Sequence, residues 1–177
     1  EDFGNLTLPQ TYAKISVNGE DWGIMNIEEN PSKEFLEKRL KKDSLILKFS
    51  SKAHDDGINQ LSVYQENKYL KNPHFRLQYS YLVNELMGKN YASIFDVDQL
   101  TRFYIISLLW GDFHPMLDHN SRFYLNPYTL KLEPIATDAG YFLKLRGFKN
   151  IKYFVDEPYN QIFETPEYNQ NIGKNFA

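Results

Sequence analysis

The sequence predicts an α+β domain: a small N-terminal part made of a β-hairpin and a helix, then a larger, mostly helical part carrying a second hairpin. Three observations predict it. Tyr12 to Val17 and Trp22 to Ile27 flank Asn18-Gly19, a strong signal for a tight turn between two strands. From Ile58 to Trp110 the apolar residues recur mostly at helical spacing. Arg122 to Leu125 then alternates, Asn126-Pro127-Tyr128 turns the chain, and Leu130 to Ala136 returns antiparallel.

The first ten residues, Glu1 to Gln10, read as polar and irregular. After the first hairpin, Pro31-Ser32 opens a helix to about Lys42, with Phe35, Leu36, Arg39 and Leu40 at helical spacing. Ser44 to Phe49 is a short strand. Ser50 to Gly57 is a loop whose His54-Asp55-Asp56 suits a solvated turn better than a metal site, because adjacent side chains rarely converge on one ion. Ile58 to Lys89 reads as helix broken at Asn72-Pro73, with Leu61, Tyr64, Tyr69 and Leu70 before the break. Phe75, Leu77, Tyr81, Leu82 and Leu86 follow it, and aromatics at this spacing belong to a core. Ser93 caps a helix entered at Ile94, with Asp96 and Asp98 near its positive end. The run from Leu100 to Trp110 is apolar nearly all round and should be the buried centre of the larger part. Arg102 is expected to face outward. Beyond Phe142, Lys144, Arg146, Lys149 and Lys152 form a basic patch, and the tail from Glu157 is rich in Asn, Gln, Glu and Tyr.

Composition removes several function classes. The 177 residues make about one domain, enough for a sizeable core. With 13 Tyr and 13 Phe, the chain is too aromatic for whole-chain disorder. A net charge of −3 offers no basic field, so nucleic acid is not an expected partner. No apolar run approaches the ~20 residues of a membrane span. Glu1-Asp2-Phe3-Gly4 does not read as a signal peptide. The chain has no Cys, which excludes disulfides and thiolate metal sites and leaves the compartment open.

The chemistry concentrates between Trp110 and Phe142. In the second hairpin, period-two alternation would turn Phe123 and Leu125 to a core and Arg122 and Tyr124 away from it. The residues just before its first strand and just after its second must meet at the open end. They are Asn120 and Asp138. An amide oxygen and a carboxylate, completed by phosphate oxygens and water, suit Mg²⁺, a hard cation that prefers oxygen. Asp112 lies upstream in the same loop. Singly, Asp118-His119-Asn120 is an ordinary solvated loop and Asp138 an ordinary turn former. The ordered set around one hairpin is what points to a site.

This arrangement resembles the catalytic half of kinase-like folds, where a loop Asp, a following Asn and an Asp-x-Gly after a hairpin share the work of phosphoryl transfer. Asp112, Asn120 and Asp138-Ala139-Gly140 fill those places in order, with Asp118 a rival for the first because the spacing departs from the protein-kinase pattern. The opening is similar to a narrower family. V-N-G-E-D-W-G-I-M-N-I-E-E-N, then K-E-F-L-E-K-R, then L-I-L-K-F resembles the CotH (spore coat protein H) kinase family. That family continues with an Asp, His-Asn, an aromatic strand, a turn and a strand leading to a metal-binding Asp. Asp112, His119-Asn120, Phe123-Tyr124-Leu125, Asn126-Pro127 and Asp138 match those features. The matching segments reach from about Ala13 to about Phe142.

The resemblance implies an atypical kinase-like fold over residues 1–177, a partial domain with 1–50 as the remnant of the smaller lobe and hinge and 51–177 as the larger lobe. It places a phosphate-contacting Lys upstream of the Asn-Gly hairpin, where this chain has too few residues; Lys48 is the possible substitute. It also puts the strand ending at Glu28 at the hinge, with backbone around Asn26 to Asn30 facing an adenine, although carboxylates before a helix start also favour the helix dipole. The implied activity is transfer of the ATP γ-phosphoryl group to a protein hydroxyl, with Mg²⁺ or Mn²⁺. Asp112 (or Asp118) would orient the acceptor, His119 would support the loop or the metal shell, and Asn120 and Asp138 would hold metal. The implied substrate is a coat or surface protein, and the implied location is the outside, the surface or the spore coat of a bacterium. Two other classes stand beside it: a non-catalytic surface or spore-coat assembly module keeping the fold only, and a metal-dependent phosphoester hydrolase built on the same acids.

Overall fold

The computed structural model describes residues 4–50, 60–88, 90–112, 114–116 and 120–137, together with 166 and 170. Its centre is a five-stranded sheet ordered β1-β7-β6-β4-β5. The strands are β1 (Leu6–Thr7), β4 (Ile46–Ser50), β5 (Gln60–Val63), β6 (Arg122–Leu125) and β7 (Leu132–Ala136). All neighbours are antiparallel except β1 and β7, where Leu6 pairs with Ile135 and Thr7 with Ala136 in parallel. The sheet thus takes strands from both sides of residue 50. The opening residues are not irregular throughout, since Leu6 and Leu8 are buried and their segment extends the sheet.

Both faces of this sheet are covered. On one, Leu47, Phe49, Leu61, Val63, Phe123 and Leu125 pack against Leu82, Ile94, Phe95, Leu100 and Phe103 of the helical part. The Phe123 ring meets Phe49 and Phe95 edge-on, with centroids 5.6 and 5.3 Å away. The other face carries Ile46, Tyr124 and Ile135, covered by Leu6, Leu8 and by Phe35 and Leu36 of α1 (Lys33–Glu37). Tyr124 is therefore buried, contrary to the one-sided alternation expected of β6. A strand sandwiched between two layers needs apolar groups on both sides.

Other boundaries move for identifiable reasons. Helix α1 is much shorter than Pro31 to Lys42 because Leu40 takes a positive φ of 56°. Residues 60–63 form a strand rather than helix: Leu61 and Val63 alternate inward beside β4, and so short an apolar run cannot reveal its period. Gln65, with φ 53°, leads into α2 (Glu66–Tyr69), and α3 (Pro73–Met87) begins as expected at Asn72-Pro73. The Asn72 side chain caps it, accepting from His74 N at 2.9 Å. Leu77, expected in the core, is exposed. After α4 (Tyr91–Ile94), the cap of α5 (Val97–Trp110) is Asp96, not Ser93: the Asp96 carboxylate accepts from Gln99 N at 3.0 Å. Asp96 N also donates to Leu132 O at 3.0 Å, tying the start of α5 to β7. Helix α5 buries Leu100, Phe103 and Tyr104, while Leu109 and Trp110 at its end are 68% and 69% exposed. Arg102 is half-buried and ion-paired with Asp98. No helix among the described residues is long and apolar enough to cross a membrane.

The strands β2 (Gln10–Val17) and β3 (Glu20–Glu28) form a separate two-stranded sheet. Asn18 and Gly19 both have positive φ, 54° and 87°, the backbone that a two-residue hairpin turn demands. At the other end of the hairpin, Glu29 N donates to Pro9 O at 2.9 Å. This closes its base beside the five-stranded sheet.

Candidate functional site

The sheet face that carries Ile46, Tyr124 and Ile135 changes character along its length. Towards the turn of β6–β7 it is covered by α1; towards the open end its residues become Lys48, Ser62, Arg122 and Thr137. There the covering helix is absent, and a cleft of about 630 Å³ opens between the sheet and the base of the first hairpin. Glu28, Glu29, Asn30, Pro31, Tyr64 and Gln65 line it on the hairpin side, Leu8 and Ile46 give it apolar surface, and Leu47 and Val63, whose side chains pack on the other face, border it as well. Asn120 stands at the open end of the β6–β7 hairpin and lines the same cleft.

Three residues singled out in sequence therefore share one cavity: Glu28, Lys48 and Asn120. They come from three separate segments: the β4–β6 pairing brings Lys48 beside the start of β6, next to Asn120, and the base of the separate β2–β3 hairpin brings Glu28 over them. Lys48 lies directly opposite Arg122 in the β4–β6 ladder and opposite Ser62 in the β4–β5 ladder. Opposite residues of antiparallel strands project to one side, so Lys48 and Arg122 stand on the same wall. Two cations opposite one another repel, and an anionic ligand between them would relieve that repulsion. Sequence reading passed over Arg122, though its place two residues from Asn120 on an alternating strand was the available signal.

Some hairpin-side groups are already engaged. Glu29 is ion-paired with Lys38 at 2.7 Å, and the Asn30 side-chain amide donates to the Tyr64 hydroxyl. Of the backbone groups from Asn26 to Asn30 expected to face a base, the Glu29 N–H is given to Pro9 O.

The loop behind Asn120 is organised by the end of α5. Gly111 adopts φ 65° and donates to Leu108 O and Ser107 O, ending the helix with the left-handed residue that favours glycine. Asp112 N then donates to Ser107 O at 2.9 Å, and its side chain is turned inward, 6% exposed. Asp112 Oδ1 accepts from His114 N at 3.2 Å. His114 opens a short 3₁₀ turn, His114–Met116, anchored by buried Pro115 and Met116. The Asn120 amide nitrogen lies 2.9 Å from His114 Nε2 and donates to His114 O at 3.3 Å. Asp112 thus does not line the cleft; it sits one step behind, joined to Asn120 through His114.

The open end of the hairpin closes as its register requires. Arg122 pairs with Ile135, which carries Asn120 opposite Thr137, and Thr137 Oγ1 donates to Asn120 O at 3.2 Å. The residue preceding Asp138 therefore touches the residue assigned to the metal. Asp118, His119 and Asp138 lie outside the described residues, as do His54-Asp55-Asp56, the basic patch and the tail apart from residues 166 and 170. Asn120 fits the oxygen-donor chemistry of a hard cation, because both bonds to His114 use its nitrogen and leave the oxygen as acceptor.

Comparison with known families gives one match. The family model described as CotH kinase protein matches residues 1–139, a span that holds the first hairpin, the cleft and every candidate site residue. Among curated proteins, none matches the chain.

Proposed function

The chain belongs to the CotH kinase protein family, and on that premise we propose that it moves the γ-phosphoryl group of ATP to a protein hydroxyl with Mg²⁺. The observation that carries this reading is the single cleft joining Glu28, Lys48 and Asn120 with Arg122. Its volume of about 630 Å³ suits a ligand of nucleotide size. Lys48 and Arg122 would draw the phosphate chain to the β4–β6 wall, and the backbone from Glu28 to Pro31 would bound the base. Asn120 and Asp138 would hold Mg²⁺ or Mn²⁺, with His119 supporting the loop. When bound, the cation neutralises phosphate charge and eases the approach of an oxygen nucleophile.

Asp112, with Asp118 its rival, would take the proton of the acceptor hydroxyl. As that oxygen bonds to the γ-phosphorus, the bond from phosphorus to the β–γ bridging oxygen breaks, and ADP leaves with the electron pair. The family relation favours a coat or surface protein outside a bacterial cell as the acceptor.

Calorimetry and thermal unfolding with ATP and MgCl₂ test the proposal. A ligand that binds only the folded state adds about 2.7 kcal/mol at a hundred times its Kd. Asp138→Ala and Asn120→Ala are expected to weaken Mg²⁺-dependent ATP binding at least tenfold; unchanged binding in Asp138→Ala removes the metal assignment. Asp112→Ala is expected to stop transfer and spare binding. If Asp118→Ala does so instead, the rival is the loop acid. No stabilisation of the unmodified chain by ATP and Mg²⁺ sinks the reading, and binding without transfer to any acceptor leaves the non-catalytic module.

A further inference from the structure

We infer that His114 is the positioning residue that decides which atom of Asn120 faces the cleft; its consequence for metal rests on the proposed reading, but its geometry does not. A carboxamide presents one acceptor oxygen and one nitrogen carrying two hydrogens. The atom of Asn120 that contacts His114 O at 3.3 Å must be the nitrogen, because a carbonyl has no hydrogen to give. That same nitrogen lies 2.9 Å from His114 Nε2. Both contacts need a hydrogen from the amide, so Nε2 is the accepting ring nitrogen and Nδ1 the one that carries the proton. With both amide hydrogens directed at His114, Oδ1 is the atom presented to the cleft that Asn120 lines.

The alternative shows what His114 prevents. A donor in place of Nε2 would oppose the His114 carbonyl, which alone would then hold the amide nitrogen, and would favour the turned-over amide whose NH₂ faces the cleft and repels a cation. The turn that carries the imidazole is held from two sides. Asp112 Oδ1 receives the His114 backbone N–H at 3.2 Å, and buried Pro115 and Met116 fix the short turn. Asp112 thereby acts on Asn120 through His114 as well as through any direct part in transfer. Sequence spacing favoured His119, the neighbour of Asn120, because nothing in a loop's spacing reveals that a residue six positions earlier folds back.

Two measurements test the inference, and the first needs no ligand. In nitrogen-resolved NMR of the free protein, the His114 ring should show a protonated Nδ1 and a bare Nε2, with a coupling across the hydrogen bond from the Asn120 amide. A protonated Nε2 in the neutral ring overturns the inference whether or not the protein is a kinase. The second compares His114→Leu, His114→Lys and His114→Gln by calorimetry with MgCl₂ and ATP. Loss of a residue that orients a metal ligand costs ten- to a hundredfold in metal affinity. His114→Leu and His114→Lys should raise the Mg²⁺ needed for half-maximal ATP binding at least tenfold. His114→Gln, which can accept through Oε1, should stay within about threefold of the unmodified protein, a rescue that a merely structural role would not give. Equal Mg²⁺ dependence in all four proteins overturns the inference and leaves the proposed function standing. If the unmodified protein binds no ATP with Mg²⁺, the proposed function fails and the NMR result alone decides the role of His114.

Discussion

The hairpin β6–β7 treats polar side chains in opposite ways at its two ends. At the turn end they are spent on one another. Asn126 Oδ1 accepts from Tyr128 N at 2.9 Å, and its amide donates to Glu133 Oε1 at 2.7 Å. Lys41 completes that carboxylate with an ion pair at 2.7 Å, and Lys131 Nζ caps Ala92 O at 2.8 Å. At the open end, Lys48 and Arg122 stand side by side with like charge, and Asn120 lines a cleft. Satisfied polar groups fix a register; like charges set side by side on a cleft wall repel and favour an anion near them. The two ends share strands, so the contrast lies in which side chains each end presents.

The largest effect should come from breaking the satisfied end. Glu133 is 2% exposed and holds both Lys41 and Asn126, so Glu133→Ala leaves an ammonium and an amide donor without their acceptor. Removing one partner of a buried pair costs about 3 kcal/mol, here tempered because Lys41 is partly exposed. Urea unfolding should show a loss of about 2–3 kcal/mol. Nucleotide affinity of the remaining folded protein should be unchanged within about twofold, since additivity holds for separated sites. A large loss of affinity would mean that the two ends are coupled.

A smaller effect should appear at high pH. Burial, and then the charge of Glu133, push the Tyr124 hydroxyl up to about 12, while its proton is donated to Lys42 O at 2.9 Å. An unfolded chain titrates tyrosine near pH 10. The folded state therefore keeps this proton longer, and the stability it contributes is complete below pH 10 and lost as pH rises towards 12. By pH 11 the loss is about 1.4 kcal/mol. Tyr69, Tyr79 and Tyr104 are shifted upward as well, so the measurement must be a difference. Tyr124→Phe should lower stability at pH 8 yet lose about 1.4 kcal/mol less than the unmodified protein between pH 8 and 11 in urea unfolding. Equal slopes would show that Tyr124 does not titrate differently from an exposed tyrosine.

The sequence made the turn-based features legible and the two-sided ones illegible. Asn18-Gly19 and Asn126-Pro127 mark hairpins because only certain backbones make those turns, and both stand where expected. Continued through the second hairpin, the same reasoning brought Asn120 next to the segment of Asp138, because antiparallel register follows from the turn. Tyr124 was misplaced because alternation assumes one wet face, and α1, ninety residues away in sequence, covers the second. Strand β5 was hidden by its length, four residues against the long helical pattern that follows. Arg122 and His114 were missed for another reason. A strand's direction shows that a side chain faces a wall, but not that a lysine from another strand stands beside it.

The smallest stability effect is the most informative, because its sign separates a site residue from a structural one. Lys48 is exposed on the cleft wall, directly opposite Arg122. Like charges directly opposite across an antiparallel ladder are destabilising by a few tenths of a kcal/mol, and Lys48→Ala relieves that repulsion. Alanine is a poorer strand former by a similar amount, so the two changes nearly cancel. Stability in urea should shift by no more than about 0.5 kcal/mol, in either direction. Over the same substitution ATP affinity should fall at least tenfold, and more steeply at low salt, because an exposed cation acts partly through a screened field. A drop in stability beyond about 1 kcal/mol with affinity retained would make Lys48 part of the sheet's support and leave Arg122 as the cation that meets the phosphates. Near-zero stability change with lost binding is what the wall of a binding site, not a strut, must give.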